Sequence, residues 1–245
     1  MFNGIKAVYY REIQVMRRRV MRSIVASMVS PALFMLAFGY GLGRRQIVGG
    51  LDYLDFLFVG LLAMSTLNAC YGIATDINIS RFYFKTFDEY LTAPVPRRHI
   101  VVGEMLYGLT KGTINALVFF IYAFIAKLNI VITPFFVLVL LMHMAVFSLL
   151  GFIVALLVNN HKDQSSISTF LITPMTFLSG VFFPIEQAPL VIRGIVQFFP
   201  LSHSVSLLRA SSTGGGVSLY HMLALSAFLV AFFFLALRLA KRTEG

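Results

Sequence analysis

The amino-acid sequence predicts an all-α, polytopic membrane protein with six transmembrane helices, forming a single domain over residues 1–245. Hydrophobic residues make up 58% of the chain and charged residues only 12%, and the mean hydropathy is +0.84. A soluble domain has a composition closer to half apolar and a quarter charged. The excess of apolar residues lies in long runs, which have the length needed to cross a hydrocarbon core of about 30 Å.

Six runs of the sequence are predicted to be membrane spans, and short polar or proline-containing segments separate them. The predicted spans are residues 24–42, 54–74, 100–126, 134–158, 165–183 and 219–237. Asp163 is predicted to cap the fifth span, because an aspartate accepts hydrogen bonds from the first N–H groups of a helix. Pro174 and Gly180 are expected to interrupt this span.

Residues 184–217, between the fifth and sixth spans, contain an apolar run flanked by prolines. The run, residues 190–199, is only about ten residues long and is too short to cross a hydrocarbon core. Backbone that does not span survives at membrane depth only where protein or water satisfies its polar groups. The segment is therefore predicted to be an external re-entrant hairpin of one or two short helices.

Residues 2–22 are predicted to form an amphipathic helix at the membrane interface. Apolar residues recur there at spacings of three and four, which gives one apolar stripe. The stripe consists of Phe2, Ile5, Tyr9, Ile13, Met16 and Val20. Most of the basic residues lie off the stripe, and we expect them to face the anionic headgroups of membrane lipids.

Residues 81–99 form a short charged segment between two long apolar runs. Thr86 and Glu89 fit a capping box, Thr-x-x-Glu, and Asp88 adds negative charge to the first turn. Pro94 is expected to end the helix that begins there. The segment is predicted to contain a helix of about two turns, which is either part of a solvated loop or a docking helix for a soluble partner.

Lysine and arginine predict the orientation of the spans, since cytoplasmic segments of membrane proteins are enriched in both. The N-terminus, residues 81–99, the turn 159–164 and the C-terminus hold most of the basic residues, and the other side receives only Arg44, Arg45, Lys127, Arg193 and Arg209. Six spans place the four basic regions together, which predicts cytoplasmic termini in a cell or inner membrane. The net charge of +10 is thus an orientation signal, and no nucleic-acid partner is expected.

The sequence contains no G-x-x-x-x-G-K-[ST], H-E-x-x-H or G-x-S-x-G motif, so we expect neither catalysis nor a bound cofactor or metal in this chain. His143 lies deep in the fourth span and is predicted to hydrogen-bond a neighbouring helix. Glu104 and Lys111 lie near the cytoplasmic end of the third span, where their side chains reach water, and an anchoring role is favoured over proton relay. An ion-coupled secondary transporter and a membrane-embedded lipid-modifying enzyme are the weaker alternatives.

Phenylalanines crowd the outer half of the fifth span and the hairpin. The residues concerned are Phe177, Phe182, Phe183, Phe198 and Phe199. Helix packing or lipid contact is the simpler interpretation. The alternative is an aromatic lining along which an amphipathic substrate leaves the protein, and both interpretations fit the sequence.

Three stretches of the sequence carry a family resemblance. They are Leu-Thr-Ala-Pro-Val-Pro-Arg at residues 91–97, Phe-Leu-Ser-Gly-Val-Phe-Phe-Pro-Ile-Glu-Gln-Ala-Pro at 177–189, and Phe-Pro-Leu-Ser-His-Ser-Val-Ser-Leu-Leu-Arg at 199–209. Together with an interfacial N-terminal helix and six spans, they resemble the ABC-2 type transporter permeases. The resemblance covers nearly the whole chain and is to the branch of the nodulation-factor exporter and daunorubicin-resistance permeases.

The resemblance implies a permease subunit, two copies of which pair as a homodimer with two copies of a separate ATP-binding subunit. That subunit would hold ATP and Mg²⁺, and this chain would bind no cofactor. Residues 86–91 correspond to the family's coupling helix, and the turn 159–164 to a second contact. The implied contact residues are Thr86, Phe87, Asp88, Glu89, Tyr90, Leu91, Arg97, Arg98, Lys162 and Asp163. The implied activity is export of a lipid-linked, oligosaccharide or amphipathic drug-like substrate from the cytoplasm or inner leaflet.

Overall fold

A computed structural model describes residues 3–17, 29–40, 47–48, 51–86 and 95–242. The regular secondary structure of this part of the chain is helical, apart from an antiparallel pair of two-residue strands, β1 (Ile47–Val48) and β2 (Leu51–Asp52). The first helices are α1 (Asn3–Arg17), α2 (residues 29–34, continued by the π-helical turn Met35–Tyr40), α3 (Tyr53–Tyr71), α4 (Ile73–Phe82), α5 (Arg97–Ile125) and α6 (Pro134–Leu157). They are followed by α7 (His161–Ile167), α8 (Thr173–Leu178), α9 (Leu190–Val196), α10 (Pro200–Ser212) and α11 (Leu219–Arg242).

Four helical stretches in the described residues are long and apolar enough to cross a membrane. They are Tyr53–Phe82, Arg97–Ile125, Pro134–Leu157 and Leu219–Lys241, and they match the second, third, fourth and sixth predicted spans. The short helices α9 and α10 would add a fifth if they formed one span, although they bend by 94°. The predicted first span lies partly outside the described residues, so the arrangement of six spans stays a prediction.

The core is built around α6, which packs against α3, α4, α5, α10 and α11. Its phenylalanines Phe136, Phe147 and Phe152 are fully buried. Few residues of α11 are buried, as expected for a helix that faces lipid along much of its surface. Small residues bring α5 close to its neighbours, since a side chain at Gly108 would collide with Ser148 and one at Gly112 with Cys70.

The second span continues as a helix beyond its predicted end at residue 74. The helix α3 ends at Tyr71, and Gly72 joins it to α4 with near-helical backbone angles. Helix α4 then runs to Phe82 and includes Asp76, Asn78 and Arg81, polar residues of the kind that usually mark the end of a span. The contacts that these residues make, described below, allow the helix to continue.

The predicted fifth span is divided into α7, the π-helical turn Ser168–Ile172 and α8. Its N-cap is Asn160, whose side-chain oxygen accepts the N–H of Asp163 at 2.9 Å, so the prediction of Asp163 as the cap is wrong. The helix begins four residues earlier than expected, because Asn160 already provides the cap. Pro174 is the second residue of α8, and Gly180 has a positive φ of 79°, which ends the helical path.

The segment after α8 contains two short helices, as the prolines predict. A 3-10 turn at Ile185–Gln187 precedes α9, and α10 begins at Pro200. In α10, Ser202 Oγ donates to the carbonyl oxygens of Val196 and Phe199 at 2.7 and 2.8 Å, which fixes the bend between the two helices. The re-entrant and external character of this hairpin stays a prediction.

Helix α1 packs along the first half of α5. Val8 is buried against Gly103, and Gly4 lies next to His99. The Tyr9 hydroxyl shares a hydrogen bond of 2.9 Å with Thr110 Oγ1. The predicted amphipathic helix therefore exists over Asn3–Arg17, and part of its apolar stripe faces α5.

Candidate functional site

The predicted contact residues fall into two groups. Phe87, Asp88, Glu89, Tyr90 and Leu91 lie outside the described residues. Thr86 ends the described stretch before them, Arg97 and Arg98 begin α5, and Lys162 and Asp163 lie in the first turn of α7. The capping box and the coupling helix therefore stay predictions, and the geometry below concerns the segments on either side.

The N-terminal helix contacts residues 81–99, the predicted coupling segment, at Thr86. Arg11 donates from its NH2 group to Thr86 Oγ1 at 2.6 Å and pairs through NH1 with Glu12 at 2.6 Å. Glu12 is buried. The Thr86 N–H donates to the carbonyl oxygen of Ser80, and Lys85 before it has a left-handed φ of 52°. The chain thus turns sharply after α4 and is attached to α1 at the turn, a link that sequence reasoning missed.

The end of α4 and the start of α7 meet at one surface. The ring of His161 lies 5.8 Å from that of Phe82 and 5.2 Å from that of Tyr83, measured between centroids. Tyr83 and Phe84 are 71% and 64% exposed, and Lys162 and Asp163 beside His161 are exposed as well. The two predicted contact segments, residues 81–99 and 159–164, are therefore adjacent where the structure describes them.

Arg81 fastens the end of α4 to the end of α6. Its NH1 group donates to the carbonyl oxygens of Ala155 and, at 3.3 Å, Val158. These carbonyls belong to the last turn of α6, where no helical partner is available. Arg81 thus satisfies the C-terminal backbone of one helix from another, and its guanidinium lies 5.2 Å from the Phe82 ring centroid.

Lys111 and Glu104 have different surroundings in α5. Lys111 Nζ lies 2.8 Å from Asp76 Oδ2, which also accepts the Tyr107 hydroxyl at 2.8 Å. This agrees with an anchoring role, here toward α4. Glu104 is only 1% exposed, and among the described residues neither of its carboxylate oxygens has a hydrogen-bond partner. The expectation that Glu104 reaches water is wrong, because α1 covers this part of α5.

His143 joins three helices in the core. One ring nitrogen lies 3.1 Å from Thr66 Oγ1 of α3, and the other lies 2.8 Å from Ser204 Oγ of α10. The prediction that His143 hydrogen-bonds a neighbouring helix is confirmed. A second histidine contact, unforeseen from the sequence, joins His203 and His221 at 2.9 Å between their Nδ1 atoms. Among the described residues there is no group of three or more metal-ligating side chains.

The five candidate phenylalanines do not form one lining. Phe182 is buried, and its ring lies 5.1 to 5.4 Å from those of Phe34, Phe38 and Phe177. Phe183 and Phe198 are exposed, and Phe199 packs against the core. Phe182 therefore serves helix packing between α2 and the end of α8, and a role in substrate exit stays a prediction.

Near the predicted outer end, Arg209 of α10 binds two other backbone segments, residues 180–181 and α3. It donates to the carbonyl oxygens of Gly180, Val181 and Phe56 at 2.6, 3.0 and 3.2 Å. Its guanidinium carbon lies 3.4 Å from the centroid of the Phe56 ring, which is a close cation–π contact. An open cavity of about 210 Å³ lies beside it and is lined in part by Glu186, Ser206 and Thr213.

Comparison with known proteins identifies the relatives of this chain. The family model of the ABC-2 type transporter matches residues 3–213. The chain is 27% identical to the inner membrane transport permease YadH of Escherichia coli K12 over 246 residues, covering 99% of this chain and 96% of that permease. It is 29% identical to Nodulation protein J of Rhizobium leguminosarum bv. trifolii over 241 residues, covering 96% of this chain and 92% of that protein. Since the family model matches well over half of its residues, the chain belongs to the ABC-2 type transporter family, whose members are membrane transport permeases.

Proposed function

We propose that this chain is the transmembrane permease subunit of an ATP-driven exporter, in which two copies pair with two copies of a separate ATP-binding subunit. The observation that carries the proposal is the surface on which Tyr83 of the predicted coupling segment meets His161 of the predicted second contact. Its exposed aromatic and charged side chains suit a soluble partner better than lipid. Family membership supports the same conclusion, since ABC-2 permeases work with ATP-binding subunits.

The proposed topology has six spans, with both termini and residues 81–99 in the cytoplasm. The distribution of lysine and arginine supports this orientation. The hairpin at residues 184–217 is then external, and the protein resides in the cell or inner membrane, as the name of the relative YadH suggests.

The proposed mechanism transmits motion from the partner to the spans. The ATP-binding subunits hold ATP and Mg²⁺ and supply the hydrolysis. The permease adopts two conformations, and ATP bound in the partner favours one of them. The coupling segment follows α4 and precedes α5, so a displacement of that segment acts directly on the second and third spans. Arg11, which binds Thr86, extends the effect to α1.

The proposed substrate is a lipid-linked, oligosaccharide or amphipathic drug-like molecule, which would move between the two permease copies. Apart from the buried Glu104 and the Lys111–Asp76 pair, the described spans carry few ionisable groups in their interiors, which suits an amphipathic cargo better than an ion. The exposed residues Phe177, Phe183 and Phe198 remain the candidates for contact with substrate at the exit.

One observation favours a second candidate function, ion-coupled transport. A buried carboxyl in a span marks an ion or proton pathway in many transporters. Glu104 is such a group, because it is buried and has no hydrogen-bond partner in the described part of the chain.

The test is purification of the tagged permease in mild detergent from the cell that makes it, with identification of the proteins that copurify. We expect a soluble protein with a G-x-x-x-x-G-K-[ST] motif in equal amount, and we expect Phe87→Ala and Glu89→Ala to lose it. Phe124→Ala is the control, because Phe124 is 85% exposed at the far end of α5. A wild-type permease that purifies without such a protein contradicts the proposal, and proton flux compared between wild type and Glu104→Gln would then test ion coupling.

A further inference from the structure

A row of polar contacts runs down one face of the second span toward the coupling segment. On that span the row consists of Tyr71, Thr75, Asn78 and Arg81. Their partners are Ser168 for Tyr71, Gln164 for Thr75 and Asn78, and the carbonyls of Ala155 and Val158 for Arg81. We call these residues and their partners the polar ladder. Successive ladder residues of the second span are three or four positions apart. This spacing places them on the same side of a helix.

The central step of the ladder is a buried amide. Gln164 is 6% exposed, and its Nε2 donates to Thr75 Oγ1 while its Oε1 accepts from Asn78 Nδ2, each at 2.7 Å. Asn78 is completely buried. Because a buried amide that loses its partner bears a desolvation cost, these two bonds fix α7 relative to α4.

Contacts above and below extend the ladder in both directions. Above it, the Tyr71 hydroxyl and Ser168 Oγ lie 3.0 Å apart, and Ser168 Oγ also bonds the Gln164 carbonyl at 2.9 Å. Below it, Arg81 binds the last carbonyls of α6, and the Tyr83 ring lies against His161. The ladder therefore ends at the two segments that face the proposed ATP-binding subunit.

We propose that the polar ladder joins the two contact segments, through their residues 83–86 and 159–163, so that they move together as one rigid body. Asn78 and Gln164 are its positioning residues. The inference rests on the proposed function. An apolar interface would allow α4 and α7 to slide past each other, since lipid tails and side chains are equally apolar. The two directed hydrogen bonds that the Gln164 side chain makes to Thr75 and Asn78 oppose sliding, so a displacement of either segment by the partner moves both.

The test compares conformational coupling in the purified complex with its ATP-binding subunit. Leu190→Cys, 81% exposed in the hairpin, reports the conformation through its rate of reaction with an impermeant maleimide, with and without ATP and vanadate. Cys70 is fully buried and does not compete. We expect Asn78→Leu, which removes one interhelical hydrogen bond, to reduce the nucleotide-dependent change in labelling by about 3- to 20-fold, and Gln164→Leu, which removes two, to reduce it at least as much.

Two variants separate positioning from simple stability. Exchanging the two amides, in Asn78→Gln with Gln164→Asn, keeps the pair and its combined length, and we expect the nucleotide response to recover. Asn115→Leu is the matched control, because its amide oxygen accepts a buried bond of 2.8 Å from Ser65 elsewhere in the second span and should leave the response unchanged. A normal nucleotide response in both Asn78→Leu and Gln164→Leu would overturn the inference. A wild-type permease that purifies without an ATP-binding subunit would instead contradict the proposed function.

A disulfide test remains informative if the amide variants fail to fold. Tyr83→Cys with His161→Cys places two thiols where the rings now touch. If the two segments move together, oxidation of this pair leaves the nucleotide response of the complex as it is in the reduced form. Loss of the response on oxidation, with recovery on reduction, would show that the segments move separately and would contradict the inference.

Discussion

The second span is fastened at both ends, but by different chemistry. At the end near the predicted coupling segment, the polar ladder pairs side chains of α3 and α4 with side chains and carbonyls of other helices. At the other end, one guanidinium, that of Arg209, binds three backbone carbonyls. The ladder distributes its strength over several residues, each of which can change with modest loss. The attachment by Arg209, which we call the outer attachment after its predicted orientation, depends on one residue.

The outer attachment also differs in its electrostatics. No described carboxylate lies within ion-pair distance of Arg209, and its Nε is buried without a partner in the described part of the chain. Carbonyl dipoles and the face of Phe56 therefore take the place of a counter-ion. The position of a guanidinium held in this way is narrowly defined, because its donors are rigid and planar.

The largest effect is expected from Arg209→Met. The substitution leaves the carbonyls of Phe56, Gly180 and Val181 without their donor, which should lower the free energy of unfolding by about 3 kcal/mol or more. Thermal unfolding in detergent measures it. Arg193→Met is the control, since Arg193 donates to the carbonyls of Ala188 and Glu186 within its own segment. Equal losses in the free energy of unfolding of the two variants would contradict the expectation that Arg209 stabilises the fold more than Arg193 does.

A smaller loss in the free energy of unfolding is expected from Gly60→Ala. This substitution tests the same attachment from α3, on which Gly60 lies. A side chain at Gly60 would collide with the Val181 carbonyl and lie 2.9 Å from the Arg209 guanidinium. The backbone at 180–182 must then shift, at a cost of about 1–3 kcal/mol. Gly194→Ala serves as control, because nothing lies near that position and alanine favours a helix. Unchanged melting of Gly60→Ala would mean that the segment adapts freely and that Arg209 does not fix it.

The sequence predicts well the features that depend on local composition. The third and fourth spans were expected at residues 100–126 and 134–158 and are found at Arg97–Ile125 and Pro134–Leu157, because the length of an apolar run is a local property. It also predicts that His143 bonds a neighbouring helix, although it does not identify Thr66 and Ser204 as the partners.

The sequence fails where a polar residue finds its partner far along the chain. The second span is predicted to end at residue 74, yet Asp76, Asn78 and Arg81 beyond it stay in a helix because they find partners on α5, α7 and α6. Glu104 was expected to reach water, and only the position of α1 shows that it is covered. Arg209 was assigned as an external charge, and its three carbonyl partners lie 28 to 153 positions away in the sequence.

The smallest effect is expected at the upper end of the ladder, from Tyr71→Phe. The substitution removes one hydroxyl, and Ser168 keeps its bond to the Gln164 carbonyl, so no buried donor is left unpaired. The cost should be about 0.6 kcal/mol, the average for a hydrogen bond between membrane helices. Tyr10→Phe, at a 65% exposed site on α1, gives the baseline for loss of a hydroxyl in the same unfolding measurement. If Tyr71→Phe cost as much as Arg209→Met, the ladder would depend on a single contact, and the contrast between a distributed and a single-residue attachment would fail. A value near 0.6 kcal/mol would instead agree with a ladder that shares its strength among several contacts, whereas the attachment at the other end of the span depends on Arg209 alone.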